Sequence, residues 1–174
     1  LSCSPVPSLR WRTTLHRTSL VQSTRVFAFN NRRLGQVFTP YNIGSLAAAT
    51  TVGGMEELIE KKGFASIHDC AVGSGVMLIA AANEAASVLG CRYNWQNHLL
   101  FVGQDVSKTA GLMAYIQLSL LGCAGYIKIG DSLSDPIYAG DSLDNYWFTP
   151  LYFSDVWEVR RALHRHAVLI DPHK

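Results

Sequence analysis

No acidic residue occurs before Glu56, and all thirteen Asp and Glu residues lie from that position onward. Six of the fifteen Lys and Arg residues fall within positions 1–33, so that stretch carries +6 while the remainder carries −4. The overall charge of +2 therefore hides a basic, Arg-, Ser- and Thr-rich leader followed by an acidic body. Such a start fits a transit peptide, a phosphate-contacting arm or a loosely held leader, the last being the plainest reading. Charge is sparse throughout, at 16% of residues, yet no apolar run approaches the roughly 18 residues a membrane span requires. A membrane protein is not expected. None of Cys3, Cys70, Cys91 and Cys123 belongs to a Cys-x-x-Cys pair or has a His partner at metal spacing. That pattern argues against a metal centre and for reduced, packed thiols in a reducing, cytoplasmic setting. The chain opens on Leu1 rather than Met, as a piece of a longer protein would.

What remains is a chain of 174 residues, 48% of them apolar, enough for one domain with a substantial core. The expected division is an arm over 1–33 and a folded domain over 34–174. Pro40 restricts Thr39 to extended geometry, and Asn42 is placed to cap a helix over about 43–62, weakened at Gly53-Gly54. FASIHDC (64–70) has the length and apolar body of a strand, and MLIAAANEAASVL (77–89) favours helix up to Gly90. LLFVGQD (99–105) reads as a second strand, Ser107 as the cap of a helix ending near Gly122, and YIKIGD (126–131) as a third strand. A fourth is expected within LDNYWFTPLYF (143–153), then a helix over 154–166 and a last strand in HAVLI (166–170). Alternating strands and helices predict a parallel α/β sheet with helices on its faces.

Three predicted strands end in acids, Asp69, Asp105 and Asp131. In open parallel sheets the ligand crevice lies beyond the carboxyl ends of the strands, so these residues are expected to converge there. Like charges repel, and their gathering implies a ligand with hydroxyls, an amine or positive charge. Gly73 and Gly75, in DCAVGSG, leave the loop after the first strand without side chains, so a ligand can lie against its backbone. The dinucleotide pattern GxGxxG lacks its third glycine here, and 36 residues separate Asp69 from Asp105, which disfavours a nicotinamide cofactor.

Four segments together resemble the S-adenosylmethionine-dependent adenine-N6 DNA methyltransferases found as modification subunits of type I restriction systems. LGQVFTP (34–40) looks like the family's G-Q-x-[FY]-T-P, and DCAVGSGVMLIAA (69–81) resembles D-P-A-C-G-S-G-G-M-L-I-A-A. FVGQDV (101–106) is similar to its G-Q-[ED] strand end, and IGDSL (129–133) to its G-[DN]-[ST]-L. Cys70 and Val72 stand where the family has proline and cysteine. The resemblance implies a Rossmann-like methyltransferase sheet with flanking helices, ending here after the fourth or fifth strand, and S-adenosyl-L-methionine as cofactor. It assigns Phe38, Thr39 and Pro40 to flank the cofactor's methionine end. Asp69 with the backbone of Gly73 and Gly75 would hold that end and its amine, Asp105 the ribose hydroxyls and Asp131 the adenine amine.

The family's catalytic segment, [NDS]-P-P-[YFW] after the fourth strand, holds the target amine between two acceptors and stacks an aromatic on the extruded base. Asp135-Pro136-Ile137-Tyr138 imitates it but comes too soon after Asp131. Thr149-Pro150-Leu151-Tyr152 is better placed, which makes Thr149, Pro150 and Tyr152 the expected catalytic residues, although Thr replaces Asn and Leu151 replaces the second proline. The resemblance thus implies transfer of a methyl group to adenine in DNA, with DNA read through a further domain or a specificity subunit. The alternative is an inactive cofactor-binding or assembly subunit.

Overall fold

The computed structural model describes residues 39–90, 92–138 and 140–170, the last seven of these by backbone alone. The arm over 1–33 and Phe38 lie outside the described residues. Pro40, at φ −61° and ψ 139°, opens helix α1 (Tyr41–Val52) by accepting from the amides of Ile43 and Gly44, and Asn42 does not cap it. Gly53-Gly54 interrupts what the sequence suggests is one helix, and α2 (Met55–Lys62) comes next. Its acids Glu56 and Glu57 stand in the first turn and Lys61 and Lys62 in the last, each sign at the end where the helix dipole favours it. Gly63, at φ 80°, terminates it by donating to the Ile59 carbonyl.

Four strands form one sheet in the order β1-β2-β3-β4: β1 (Ala65–Asp69), β2 (Leu99–Asp105), β3 (Ala124–Ile129) and β4 (Tyr146–Phe148). Helix α3 (Val76–Val88) links β1 to β2, together with a short α4 (Trp95–His98). Helix α5 (Lys108–Leu120) links β2 to β3, and the Ser107 hydroxyl caps it by accepting from the Ala110 amide. The first three strands are parallel, whereas β4 pairs antiparallel with β3, Tyr126 opposite Phe148 and Lys128 opposite Tyr146. A parallel return needs a crossover, usually a helix. Among the described residues the stretch between β3 and β4 holds no α-helix, and the chain doubles back along the edge. Helix α6 (Asp155–Ile170) also runs through HAVLI, where a strand was expected.

Period-2 alternation gives the sheet two unlike faces. Phe101, Gly103, Asp105, Ile127 and Ile129 face the helix layer: a Cβ on Gly103 would meet Ile127 and Val72, and one on Gly111 of α5 would meet Ile129, Ile127 and Asp105. The core lies here, in the fully buried Leu78, Ile79, Ala85, Leu99, Phe101, Ala114 and Leu118. Small residues let α1 ride on α3, since a Cβ on Gly44 would stand 3.3 Å from the Ala80 methyl. The opposite face carries Leu100, Tyr126, Lys128, Tyr146 and Phe148. At its lower end Trp157 of α6 is buried, sets its ring edge to face with Phe64 and donates its indole N–H to the Gln96 carbonyl.

Candidate functional site

The loop from β1 into α3 is tied to β2 by two bonds at its turn. The Val72 amide donates to the Gln104 carbonyl at 2.9 Å, and the Gly73 amide donates to Asp105 Oδ2 at 2.7 Å. The other Asp105 oxygen accepts from the Ser107 amide at 2.8 Å, so one carboxylate joins the glycine loop to the start of α5. Only 8% of Asp105 is exposed. Both oxygens keep lone pairs for a further donor.

Gly73 and Gly75 both have positive φ, 53° and 90°, but for different reasons. A Cβ on Gly73 would have only the Ala71 carbonyl oxygen within 4 Å, at 4.0 Å, so bare backbone faces open space. A Cβ on Gly75 would stand 3.2 Å from Cα and Cβ of Ala114. The second glycine is thus demanded by the approach of α5, whose Gln117 also donates to the Ser74 carbonyl at 2.6 Å.

Asp69 closes β1 half-buried, accepting from the Ala71 amide at 3.1 Å. Burial pushes its pKa up, and the neighbouring Asp105 charge adds to this, against the Ala71 amide and His68. A cavity of about 50 Å³ is walled by Thr39, Asp69, Gly73, Ser74, Val76 and Met77. Helix α3 has no side-chain cap at its start, so its first turn offers this cavity the positive end of the helix dipole. Thr39 is thereby brought beside Asp69 and Gly73, and Pro40 serves as the start of α1.

Asp131 lies two residues beyond the end of β3 rather than on it. It leaves the sheet next to Asp105, whose carbonyl accepts from the Gly130 amide at 3.0 Å. Its carboxylate is exposed, accepts from the Leu133 amide and the Ser134 hydroxyl, and is held below the usual carboxylate range by them. The three acids therefore share one rim, with Asp69 and Asp105 adjoining the glycine loop and Asp131 outside it in a turn of its own.

Thr149, Pro150 and Tyr152 are not brought to that rim. Because β4 runs antiparallel, Thr149 lies beside Gly125, near the start of β3, and Asp105 pairs with Ile129 near its end. Four residues at about 3.3 Å each put it roughly 13 Å along the strands from the acids. Thr149 is fully buried, its hydroxyl donating to the Cys123 carbonyl at 2.7 Å and accepting from the Gly125 amide at 2.9 Å. Pro150 opens a 3-10 turn (Pro150–Phe153). The Tyr152 ring packs 4.8 Å from that of Phe148, and the Arg161 guanidinium lies 4.2 Å over it. The antiparallel edge strand thus delivers this segment to the opposite end of the sheet from the acid rim.

Among the thiols, Cys123 is buried as expected and Cys70 is exposed instead of packed. Among the described residues, no three His, Cys, Asp or Glu side chains gather as a metal site would need, and no helix is long and apolar enough to cross a membrane.

Two buried polar residues have no role assigned from the sequence: no motif marks Lys128, and Gln104 stands in the GQD strand end, where only its neighbour Asp105 is singled out. Lys128 is 1% exposed within β3, and its ammonium donates to Asp135 at 2.8 Å, to Asp141 at 2.5 Å and to the Pro136 carbonyl at 3.2 Å. Burial opposes its charge, and the bonds to Asp135 and Asp141 more than offset this, raising its pKa. Gln104, also 1% exposed, donates to the Asp135 carbonyl at 2.7 Å. A lysine amid isoleucines in YIKIG is the signal for Lys128, and the GQD motif the one for Gln104. The decoy Asp135-Pro136 is the partner of that lysine.

A family model described as N-6 DNA Methylase matches residues 24–168, and no curated protein matches the chain. The chain belongs to the N-6 DNA methylase family.

Proposed function

We propose that this member of the N-6 DNA methylase family binds S-adenosyl-L-methionine at the C-terminal rim of its sheet and supplies the cofactor half of a DNA adenine-N6 methyltransferase. The observation that carries the reading is Gly73, whose backbone faces open space between Asp69 and Asp105 at an uncapped helix start. These residues fit the cofactor's methionine end: the helix start suits a carboxylate, and Asp69 suits an ammonium and a sulfonium. The 50 Å³ cavity is far below the roughly 300–1,000 Å³ of a ligand pocket, so it takes only that end. The adenosine would lie across the open rim toward Asp105, with its ribose hydroxyls, and Asp131, with its adenine amine.

The cofactor supplies an electrophilic methyl group. The chain's own contribution is orientation: Asp105 fixes the loop, Asp69 offers its carboxylate, and Asp131 stands ready to accept. Methyl transfer needs the reacting atoms about 3–3.5 Å apart, and Thr149 is roughly 13 Å away along the strands. This favours a chain that binds the cofactor without transferring from it unaided, groups that hold the target adenine coming from elsewhere in the whole protein or from a partner. DNA is the proposed substrate of that assembly.

Calorimetric titration with S-adenosylhomocysteine tests the first part, and the expected result is one site that is lost on Asp69→Ala. A methylation assay on adenine-containing DNA tests the second. Transfer by the isolated chain, abolished by Thr149→Val, would overturn the division of labour.

A further inference from the structure

Between β3 and β4 the described residues 131–138 and 140–141 form a strap whose attachments are concentrated on two buried side chains of the sheet. All three Lys128 N–H donors are used on it, on Asp135, Pro136 and Asp141. Gln104 adds its bond to the Asp135 carbonyl, and the Tyr146 hydroxyl donates to Asp141 at 2.7 Å. The strap returns on itself where the Asp135 amide donates to the Asp131 carbonyl at 2.8 Å. Asp131 is thus the hinge residue of a segment clamped four residues later. Its side-chain bonds, to Leu133 and Ser134, lie within the strap and do not reach the sheet.

We infer that Lys128 is a positioning residue for the adenosine end of the rim, acting through the strap that carries Asp131. The inference rests on the proposed binding of S-adenosyl-L-methionine at that rim. A neutral side chain at 128 frees Asp135 and Asp141 from their shared cation, leaves two carboxylates facing each other without it, and releases the strap. Gln104 on the Asp135 carbonyl and the Tyr146 hydroxyl on Asp141 then hold it by one bond each. Asp69, Gly73 and Asp105 keep their own attachments, which involve neither Lys128 nor the strap.

The test is a double-mutant cycle read by calorimetry with S-adenosylhomocysteine on the full chain. Lys128→Met should weaken binding at least tenfold, Lys128→Arg should recover part of the loss, and Lys128→Met should cost nothing further in an Asp131→Ala background. If both single variants weaken binding and their effects multiply, Lys128 acts by general loosening and the inference fails. It fails also if Lys128→Met folds and binds like the parent. Should Lys128→Met not fold, Gln104→Met replaces it in the cycle with a smaller loss and the same required non-additivity. No binding by the parent chain overturns the cofactor reading and this inference together, whereas tight parental binding with an additive cycle overturns this inference alone.

Discussion

Replacing Asp105 with Asn removes a charge and almost no volume, yet it leaves one of two backbone donors without an acceptor. Those donors, the amides of Gly73 and Ser107, each point at one carboxylate oxygen, at 2.7 and 2.8 Å. An amide side chain offers one oxygen and one NH₂, so in either orientation one backbone N–H confronts another donor. That bond, worth about 1.5–3 kcal/mol as a charge-assisted contact, is lost, and the surviving one weakens toward a neutral value of about 1 kcal/mol. Water restores little at a residue 8% exposed. The expected cost is about 3 kcal/mol, or roughly 6–12 °C in Tm for a protein of this size. Thermal and urea melts at pH 7, with Asp105→Ala alongside, measure it. Asp105→Ala should also weaken S-adenosylhomocysteine binding by about 1–3 kcal/mol. If Asp105→Asn melts within about 0.5 kcal/mol of the parent, roughly the effect of an ordinary surface substitution, the two amides do not depend on the carboxylate and the loop is held otherwise.

Thr149→Val keeps shape and deletes the hydroxyl between Cys123 and Gly125, which should cost about 1–3 kcal/mol in urea melts through the buried Gly125 amide that loses its acceptor and leave S-adenosylhomocysteine affinity unchanged. Thr149→Asn, which restores the family's residue, should destabilise by about 1–3 kcal/mol through overpacking and produce no methyl transfer. Gly75→Ala should lose more stability than Gly73→Ala, because both are strained by positive φ but only the first meets Ala114; the order should reverse for cofactor binding. Asp69 has its folded pKa raised above the ordinary 3.8, so the native state holds its proton more tightly. Its contribution to stability should therefore decline as pH rises from 3.8 through the raised value. Asp69→Asn should make the unliganded protein more stable at pH 7, removing that decline from melts taken across the acid range.

The first three strands are legible in the sequence because each is a short apolar run with an acid at or just beyond its end, although β3 stops at Ile129, two residues before Asp131, and the Ser107 cap because its side chain acts three residues ahead. Direction in β4 is not, since it depends on a connection whose shape is set by Lys128 reaching Asp135 and Asp141, residues 7 and 13 positions away. Spacing alone puts Thr149 after a fourth strand, which is correct, and assumes that the strand runs with its neighbours, which moves the segment to the wrong rim. HAVLI resembles a strand because its β-branched content outweighs the continuity of DVWEVRRALHRH, which has no glycine or proline to stop the helix before it. Asp69, Gly73 and Asp105 need only the rule that strand ends converge. The different duties of Gly73 and Gly75 require knowing where α5 lies.

Helix α5 touches the glycine loop at successive turns, through Ala114 against Gly75 and Gln117 on the Ser74 carbonyl. Loop and helix are consequently joined as one lever. A bulkier residue at 114 would push the lever from behind, shifting Gly73 without substituting any group that faces the rim, so the fit of the proposed ligand is open to adjustment from the far side of the wall.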